Sequence, residues 1–213
     1  MGAVLGFFLN GGLFMYPILL VFTIGMAIAC ERWFQLSRTK IKSRKMWNLL
    51  HPVLVEGEFD KAREMVENDN SAIAQLLGMG LAVQGSVRRR QDIEIAMEES
   101  MMEIIPHLEK RTPYVALFSN IATLLGLLGT IMGLIEAFTA VANANPAEKA
   151  DLLSASISVA MNTTAFGLIA AIPLLIIHAM LTTTTAQIVD SLEMASVKAL
   201  NIISNSARRV DLI

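Results

Sequence analysis

The stretch Leu124–Phe138 reads LLGLLGTIMGLIEAF and combines large apolar residues with glycines that recur every three or four positions. A helix places residues at this spacing on one face, and small residues there allow a second helix to approach closely. The pattern therefore predicts a membrane helix that packs against another helix through a small-residue strip. The strip consists of Ala122, Gly126, Gly129, Gly133 and Ala137.

This stretch overlaps one of three segments that contain no Asp, Glu, Lys or Arg, namely residues 1–30, 112–135 and 152–189. Each segment is longer than the roughly 20 residues that a membrane-spanning helix requires. Of the 213 residues, 54% are hydrophobic and 17% are charged, whereas soluble domains usually carry about 25% charged residues. The sequence predicts an all-α membrane protein with three transmembrane helices, and the alternative is a soluble bundle with three buried helices.

The first charge-free segment has two interpretations, a retained span or a signal peptide. No Lys or Arg precedes its apolar run, although a signal peptide needs a basic start. Glu31, Arg32, Trp33 and Phe34 follow it, and charged and aromatic residues suit a membrane–water interface. We therefore expect a retained span at about Leu13 to Trp33.

The 17 basic residues predict the orientation of the chain. None precedes Arg32, thirteen lie from Arg32 to Arg111, one is Lys149, and three follow the third segment. Because basic residues favour the cytoplasmic side, the N-terminus and the loop after the second span are expected outside, in the periplasm. The predicted parts are an N-terminal lead with the first transmembrane helix (1–34), a cytoplasmic helical segment (35–111), the second transmembrane helix (112–142), a periplasmic loop (143–151), the third transmembrane helix (152–181) and a cytoplasmic C-terminal helix (182–213).

Periodic apolar residues predict three helices in the later part of the cytoplasmic segment. The first covers Glu58–Glu67 after a break at Gly57, and the second covers Ser71–Val83. A third, longer helix follows Gly85-Ser86 and carries an apolar stripe that includes Ile93 and Leu108. Two interpretations stay open for Arg88–Arg90: a solvated run of charges, or a contact with anionic lipid head groups.

Two threonines in the second and third spans are predicted to lie at one depth. Thr130 and Thr164 are each about 17 residues from the middle of the outer loop, roughly 25 Å along a helix. In an antiparallel pair of helices they would be level. Their hydroxyls could bond to their own helix backbone, or form a polar ring if several copies surround an axis.

Two stretches carry a family resemblance. Leu124–Phe138 and Ile157–Pro173, which reads ISVAMNTTAFGLIAAIP, resemble the paired span motifs of the ExbB/TolQ/MotA proton-channel family, and they are closest to ExbB/TolQ-type subunits. The resemblance implies a pentamer in the bacterial inner membrane that encloses a single-span ExbD/TolR-like partner. It also implies that Thr130, Thr163 and Thr164 line the pore and the proton pathway.

The same resemblance implies work driven by the proton motive force through a TonB/TolA-like, periplasm-spanning protein. The process would be TonB-dependent uptake or outer-membrane maintenance. A flagellar stator A-type subunit and a non-conducting membrane scaffold are the alternatives.

The chain has no nucleotide-binding loop and no HExxH motif. We therefore expect no enzyme, cofactor or metal, and the net charge of −2 gives no indication of nucleic-acid binding.

A proton pathway needs a group that titrates, and threonine cannot supply one, because its hydroxyl can only relay a proton or position water. The carboxylate nearest to the apolar spans is Glu136, a candidate acid at the outer mouth of the pore. A structural role for Glu136 is the alternative. We therefore expect the essential acid to come from the partner.

Overall fold

The structure is a computed structural model that describes residues 12–84 and 90–210, and all regular secondary structure in these residues is α-helical. This confirms the predicted all-α fold. The N-terminal lead before Gly12, the break at Gly85-Ser86, and Arg88 and Arg89 lie outside the described residues. The helices are α1 (Met15–Glu56), α2 (Phe59–Glu67), α3 (Ala72–Gln84), α4 (Arg90–Glu109), α5 (Thr112–Asn143) and α6 (Lys149–Val210).

Three helical stretches are long and apolar enough to cross a membrane, as the sequence predicts. They are α1, the stretch Arg90–Ala142 that includes most of α5, and the part of α6 up to Asn205. The helices α1 and α6 continue without a break through the predicted boundaries at 34/35 and 181/182. A helix satisfies its backbone hydrogen bonds internally, so it needs no break at such a boundary.

The chain divides into two compact units. The first unit contains the described residues up to Arg32 together with Arg111–Met180, and the second contains Trp33–Lys110 and the described residues from Leu181 onward. The divisions fall one or two residues from the predicted boundaries at 34/35, 111/112 and 181/182. The unit boundaries thus follow the change from apolar to charged sequence.

In the first unit, α1, α5 and α6 pack around small side chains. Ile18 of α1 is fully buried with Ala122 of α5 and with Ala170 and Ala171 of α6. A methyl group on Gly25 of α1 would lie 3.0 Å from the Leu174 side chain and 3.2 Å from that of Phe118. The three helices therefore approach one another closely wherever small residues allow it.

Polar contacts join α1 to the start of α5 in the first unit. The Arg32 side chain is 1% exposed, and its Nε donates to the Thr112 hydroxyl at 3.3 Å. Arg111 pairs with Glu31 at 2.6 Å in a half-exposed ion pair. The sequence indicated an interfacial position for Arg32, but the structure buries its guanidinium against α5.

In the second unit, the predicted short helices are confirmed with bounds shifted by one residue. Gly57 ends α1 with a φ of 82°, and the Gly57 and Glu58 amides donate to the carbonyls of Leu54 and Val53. This hydrogen-bond pair is a Schellman motif, which stops a helix at a left-handed residue. The Ser71 hydroxyl accepts from the Ala74 amide at 3.3 Å and caps α3.

The α4 helix buries most of its predicted apolar stripe, with Ile105 half-buried. Arg90, at the start of α4, donates to the Asn201 side chain at 3.1 Å. Further along, the Ser196 hydroxyl lies 3.3 Å from the Met97 sulfur. These contacts show that α4 and α6 run antiparallel in the second unit.

Candidate functional site

The small-residue strip of α5 faces α6, as its spacing predicts. Ala122 and Ala137 are fully buried, and Gly126 and Gly129 are buried as well. A methyl group added to Gly133 would lie 2.8 Å from the Ala160 side chain. A methyl group on Gly129 would collide with the Thr163 side chain. The strip is therefore a packing surface on which the backbone of α6 lies.

The two backbones approach each other closely at Gly126 and Gly167. A methyl group on Gly167 would lie 2.8 Å from the Ala122 carbonyl oxygen and 2.9 Å from the Gly126 Cα. Both neighbours are backbone atoms, so no side chain can rotate away to make space. Gly167 completes the contact from the α6 side.

Thr130 and Thr164 meet one helical turn from this crossing point. Their hydroxyl oxygens are in direct contact, which confirms that the two residues are level. The Thr164 hydroxyl also donates to the Gly126 carbonyl of α5 at 2.9 Å. The Thr130 hydroxyl lies 3.3 Å from the same carbonyl and 3.4 Å from the Ala160 carbonyl of α6.

The protons of the two hydroxyls limit what the pair can do. Each hydroxyl has one proton and two lone pairs, so at most one of the two can donate to the other. The other proton must go elsewhere, and the 2.9 Å bond from Thr164 ends at the Gly126 carbonyl. A backbone carbonyl cannot pass a proton onward. With Thr164 as this donor, the Thr130 proton can go to the Thr164 hydroxyl or to the Gly126 or Ala160 carbonyl. The Thr130 oxygen then keeps a lone pair that can accept from another group.

Thr163 lies differently from its neighbour. Its side chain is 2% exposed, its methyl group packs on Gly129, and its hydroxyl donates to the Val159 carbonyl of its own helix at 3.0 Å. Of the three threonines predicted for the pathway, the structure brings Thr130 and Thr164 together as a half-buried pair. Thr163 packs beside that pair.

Glu136 lies six residues beyond Thr130 on α5, and its side chain is exposed. The structure does not bring it to the threonine pair. The described residues, 12–84 and 90–210, hold no group of three or more His, Cys, Asp or Glu side chains that could bind a metal ion.

Two contacts of this region were not predicted. The Gly126 carbonyl accepts from Thr164, although the sequence indicated Gly126 only as a small residue. The Ser119 hydroxyl donates across the helix pair to the Ala171 carbonyl at 2.8 Å. The sequence could have indicated a contact at Ser119, because a hydroxyl residue within an apolar span needs a hydrogen-bond partner where water is absent.

The fold and this site define a class, a helical membrane protein in which two glycine-packed spans hold a pair of threonine hydroxyls between them. Comparison with known sequences identifies the family. A profile of the MotA/TolQ/ExbB proton channel family matches residues 68–194, more than half of the chain. The chain belongs to this family, and the matched region includes the whole threonine site.

Individual relatives agree with this assignment. The ExbB-like 1 protein of Synechocystis is 28% identical over 189 residues, which cover 86% of this chain and 72% of the relative. The ExbB homolog of Methanothermobacter thermautotrophicus is 25% identical over 91% of this chain and 68% of its own length. The Tol-Pal system protein TolQ of Haemophilus influenzae is 37% identical over 78 residues, 37% of this chain and 34% of the relative.

Proposed function

We propose that the chain forms the pore wall of an energy-transducing complex in the bacterial inner membrane that is driven by the proton motive force. Several copies would enclose a single-span partner of the ExbD/TolR type. The observation that carries this proposal is the contact between the Thr130 and Thr164 hydroxyls on a glycine-packed helix pair. Membership of a proton channel family supports it.

In this proposal the threonine pair positions a proton but does not carry it. Thr130 keeps lone pairs for an external donor, while the Thr164 proton is held by the Gly126 carbonyl. The pair can therefore accept a hydrogen bond from a protonated carboxylic acid or from a water molecule. The acid that binds and releases the proton belongs to the partner. Thr163, the third residue expected on the pathway, would support the pair from behind, because its side chain is buried and its hydroxyl is held within its own helix.

The work done by the complex reaches the periplasm through a TonB/TolA-like protein. The names of the relatives support both proposed processes, TonB-dependent uptake and outer-membrane maintenance, since they include ExbB-like proteins and a TolQ. In the orientation that follows from the basic residues, the N-terminus is periplasmic and the C-terminus cytoplasmic. Glu136 then lies towards the outer mouth, where its exposed carboxylate can collect protons or line the entrance.

The test replaces the Thr164 hydroxyl by a methyl group of nearly the same shape. Thr164→Val, made in the subunit assembled with its partner, should lower proton flux into liposomes about tenfold, the effect of losing one positioned hydrogen bond. Thr23→Val is the matched control, because that hydroxyl lies on α1, outside the α5–α6 pair, and donates to the Leu19 carbonyl of its own helix at 2.8 Å. The control should leave the flux unchanged.

Assembly is measured on the same variants. If Thr164→Val lowers stability but leaves the flux at the wild-type level, the chain is a scaffold and the channel proposal is wrong.

A second measurement concerns the source of the acid. Proton flux through liposomes that hold this subunit without its partner would contradict the assignment of the acid to the partner.

A further inference from the structure

Two grooves with opposite charge flank α6 in the second unit. The acidic groove, about 370 Å³, lies between α4 and α6 and carries Glu94, Glu98 and Glu193. The basic groove, about 210 Å³, lies between α1 and α6 and carries Lys40, Arg44 and Lys198. Each groove has apolar residues in its walls, with Met102 71% exposed in the acidic groove and Met194 54% exposed in the basic groove.

We propose that the acidic groove of one copy of this chain docks on the basic groove of the next copy. The inference rests on the homo-oligomer of the proposed function and identifies the surfaces that join it. Identical chains that bind through two different surfaces associate head to tail, and such contacts close into a ring when the rotation allows it. A surface of one charge that faces a surface of the other fixes the register of the contact.

The grooves lie on different flanks of α6. Glu193 lines the acidic groove and Lys198 the basic groove. Five residues separate them, which corresponds to about 140° around a helix. One copy therefore presents the negative and the positive charge in different directions, as a ring requires. The two charges also do not neutralise each other within one groove.

The grooves also lie at the same level along α6, which a ring in one membrane requires. The Met97–Ser196 contact places Glu94, one turn earlier on the antiparallel α4, level with about residue 199. This is the level of Lys198. The Lys40 amine donates to the Gln187 side chain at 2.7 Å. The helices α1 and α6 both run from the predicted periplasmic side inward. Arg44, four residues after Lys40, is therefore level with about residue 191 of α6, close to the level of Glu193.

An anionic lipid head group fits the inner end of the basic groove, between Arg44 and Lys198, less well than the carboxylates of a second copy do. Lys198 lies 17 residues after the predicted end of the third span at residue 181, about 25 Å along a helix. That distance exceeds the depth of the head-group region, since the interfacial regions add only about 5–8 Å on each side of the hydrocarbon core. The carboxylates of Glu94 and Glu193 are therefore the favoured occupants.

Disulfide crosslinking of the full chain in membranes tests the contact. In a Cys30→Ser background, which removes the exposed native thiol, Met102→Cys places a thiol in the acidic groove and Ser191→Cys places one in the basic groove. Oxidation of the double variant should give a ladder of multimers. Each single variant should give no ladder. The control pair Met79→Cys with Ser191→Cys should give none either, because Met79 is exposed on α3 outside both grooves.

A charge exchange tests the register. Glu94→Lys or Lys198→Glu alone should lower the crosslinked fraction about tenfold, because an attractive pair becomes repulsive at every contact. The combined exchange should restore the fraction to within about twofold of the parent. Glu99→Lys, on the exposed side of α4 outside the groove, is the matched control and should have no effect.

The mass of the detergent-solubilised complex separates this inference from the proposed function. A homo-oligomer that forms without the Met102–Ser191 ladder overturns the docking surfaces and leaves the proposed function standing. A chain that stays monomeric overturns both. If Lys198→Glu weakens assembly while Glu94→Lys does not, and the exchange restores nothing, the basic groove binds another anion and the inference is wrong.

Discussion

The two units of this chain differ in how many large apolar side chains they bury completely. One core cluster of the first unit contains one isoleucine and three alanines, and the backbones of two of its helices meet at Gly126 and Gly167. The first unit fully buries Met15, Ile18 and Leu174, but more of the large, fully buried side chains lie in the second unit. These side chains include Leu50, Leu54, Leu76, Leu77, Leu81 and Met97.

The difference follows from the solvent that each unit is predicted to have. In water, burying a large apolar side chain is itself favourable, so leucine and methionine stabilise the second unit. Between lipid tails this gain disappears, and helices associate through close backbone packing and hydrogen bonds. The first unit should therefore tolerate truncation better than enlargement, and the second unit should show the reverse.

The largest expected effect is a truncation in the second unit. Leu77→Ala should destabilise the protein by about 3 kcal/mol, because it opens a cavity at a side chain that is 0% exposed. Met79→Ala on the same helix is the control, since Met79 is 46% exposed. Denaturant unfolding in detergent micelles measures both. Equal losses for the two variants would contradict the comparison.

An enlargement in the first unit should come next. Gly167→Ala should cost about 2 kcal/mol, because the added methyl group meets the backbone of Ala122 and Gly126 at 2.8 and 2.9 Å. Gly78→Ala in the second unit is the matched control. Its methyl group would meet Val66 at an ordinary 3.6 Å, and the better helix propensity of alanine should make it neutral or stabilising. Thermal unfolding of both variants decides the point, and a tolerated Gly167→Ala would show that the helix pair can separate.

A smaller effect is expected from the hydrogen bond between helices at Ser119. Ser119→Ala removes the donor to the Ala171 carbonyl and should cost about 0.6 kcal/mol, the average for such bonds in membrane proteins. Thr23→Val is its control, because the Thr23 hydroxyl donates to the Leu19 carbonyl of its own helix. If the two variants lose the same stability in detergent, hydrogen bonds between helices add nothing specific to the first unit.

The smallest effect concerns an exposed ion pair of the second unit. The hydrogen bond with Glu58 raises the pKa of Lys61 above its ordinary value of 10.5, because it favours the charged amine. The pair's contribution is therefore fully present below pH 10.5 and is lost as the pH rises through the raised pKa. Lys61→Met should shift the unfolding temperature only slightly at pH 7, and not at all at about pH 12. A difference in unfolding temperature between Lys61→Met and the parent that grows as the pH rises would contradict this prediction.

Much of the fold was predictable because its signals are local. Segments without charge predicted the three spans, and apolar periodicity predicted α2, α3 and the long α4. Counting residues from the outer loop predicted that Thr130 and Thr164 are level, and their hydroxyls are in contact. Counting along a helix works here because the rise per residue is constant.

The sequence by itself determined the helices, the three candidate spans and the common level of Thr130 and Thr164, because hydropathy and helical rise depend only on the order of residues. Only the tertiary structure decided which side of each helix is covered. In the tertiary structure Thr163 packs on Gly129, whereas its neighbour Thr164 donates to the Gly126 carbonyl. The Arg32 side chain is buried against Thr112. Neighbouring residues differ by about 100° around a helix, so their surroundings depend on which helix packs beside them, and local patterns do not contain that choice.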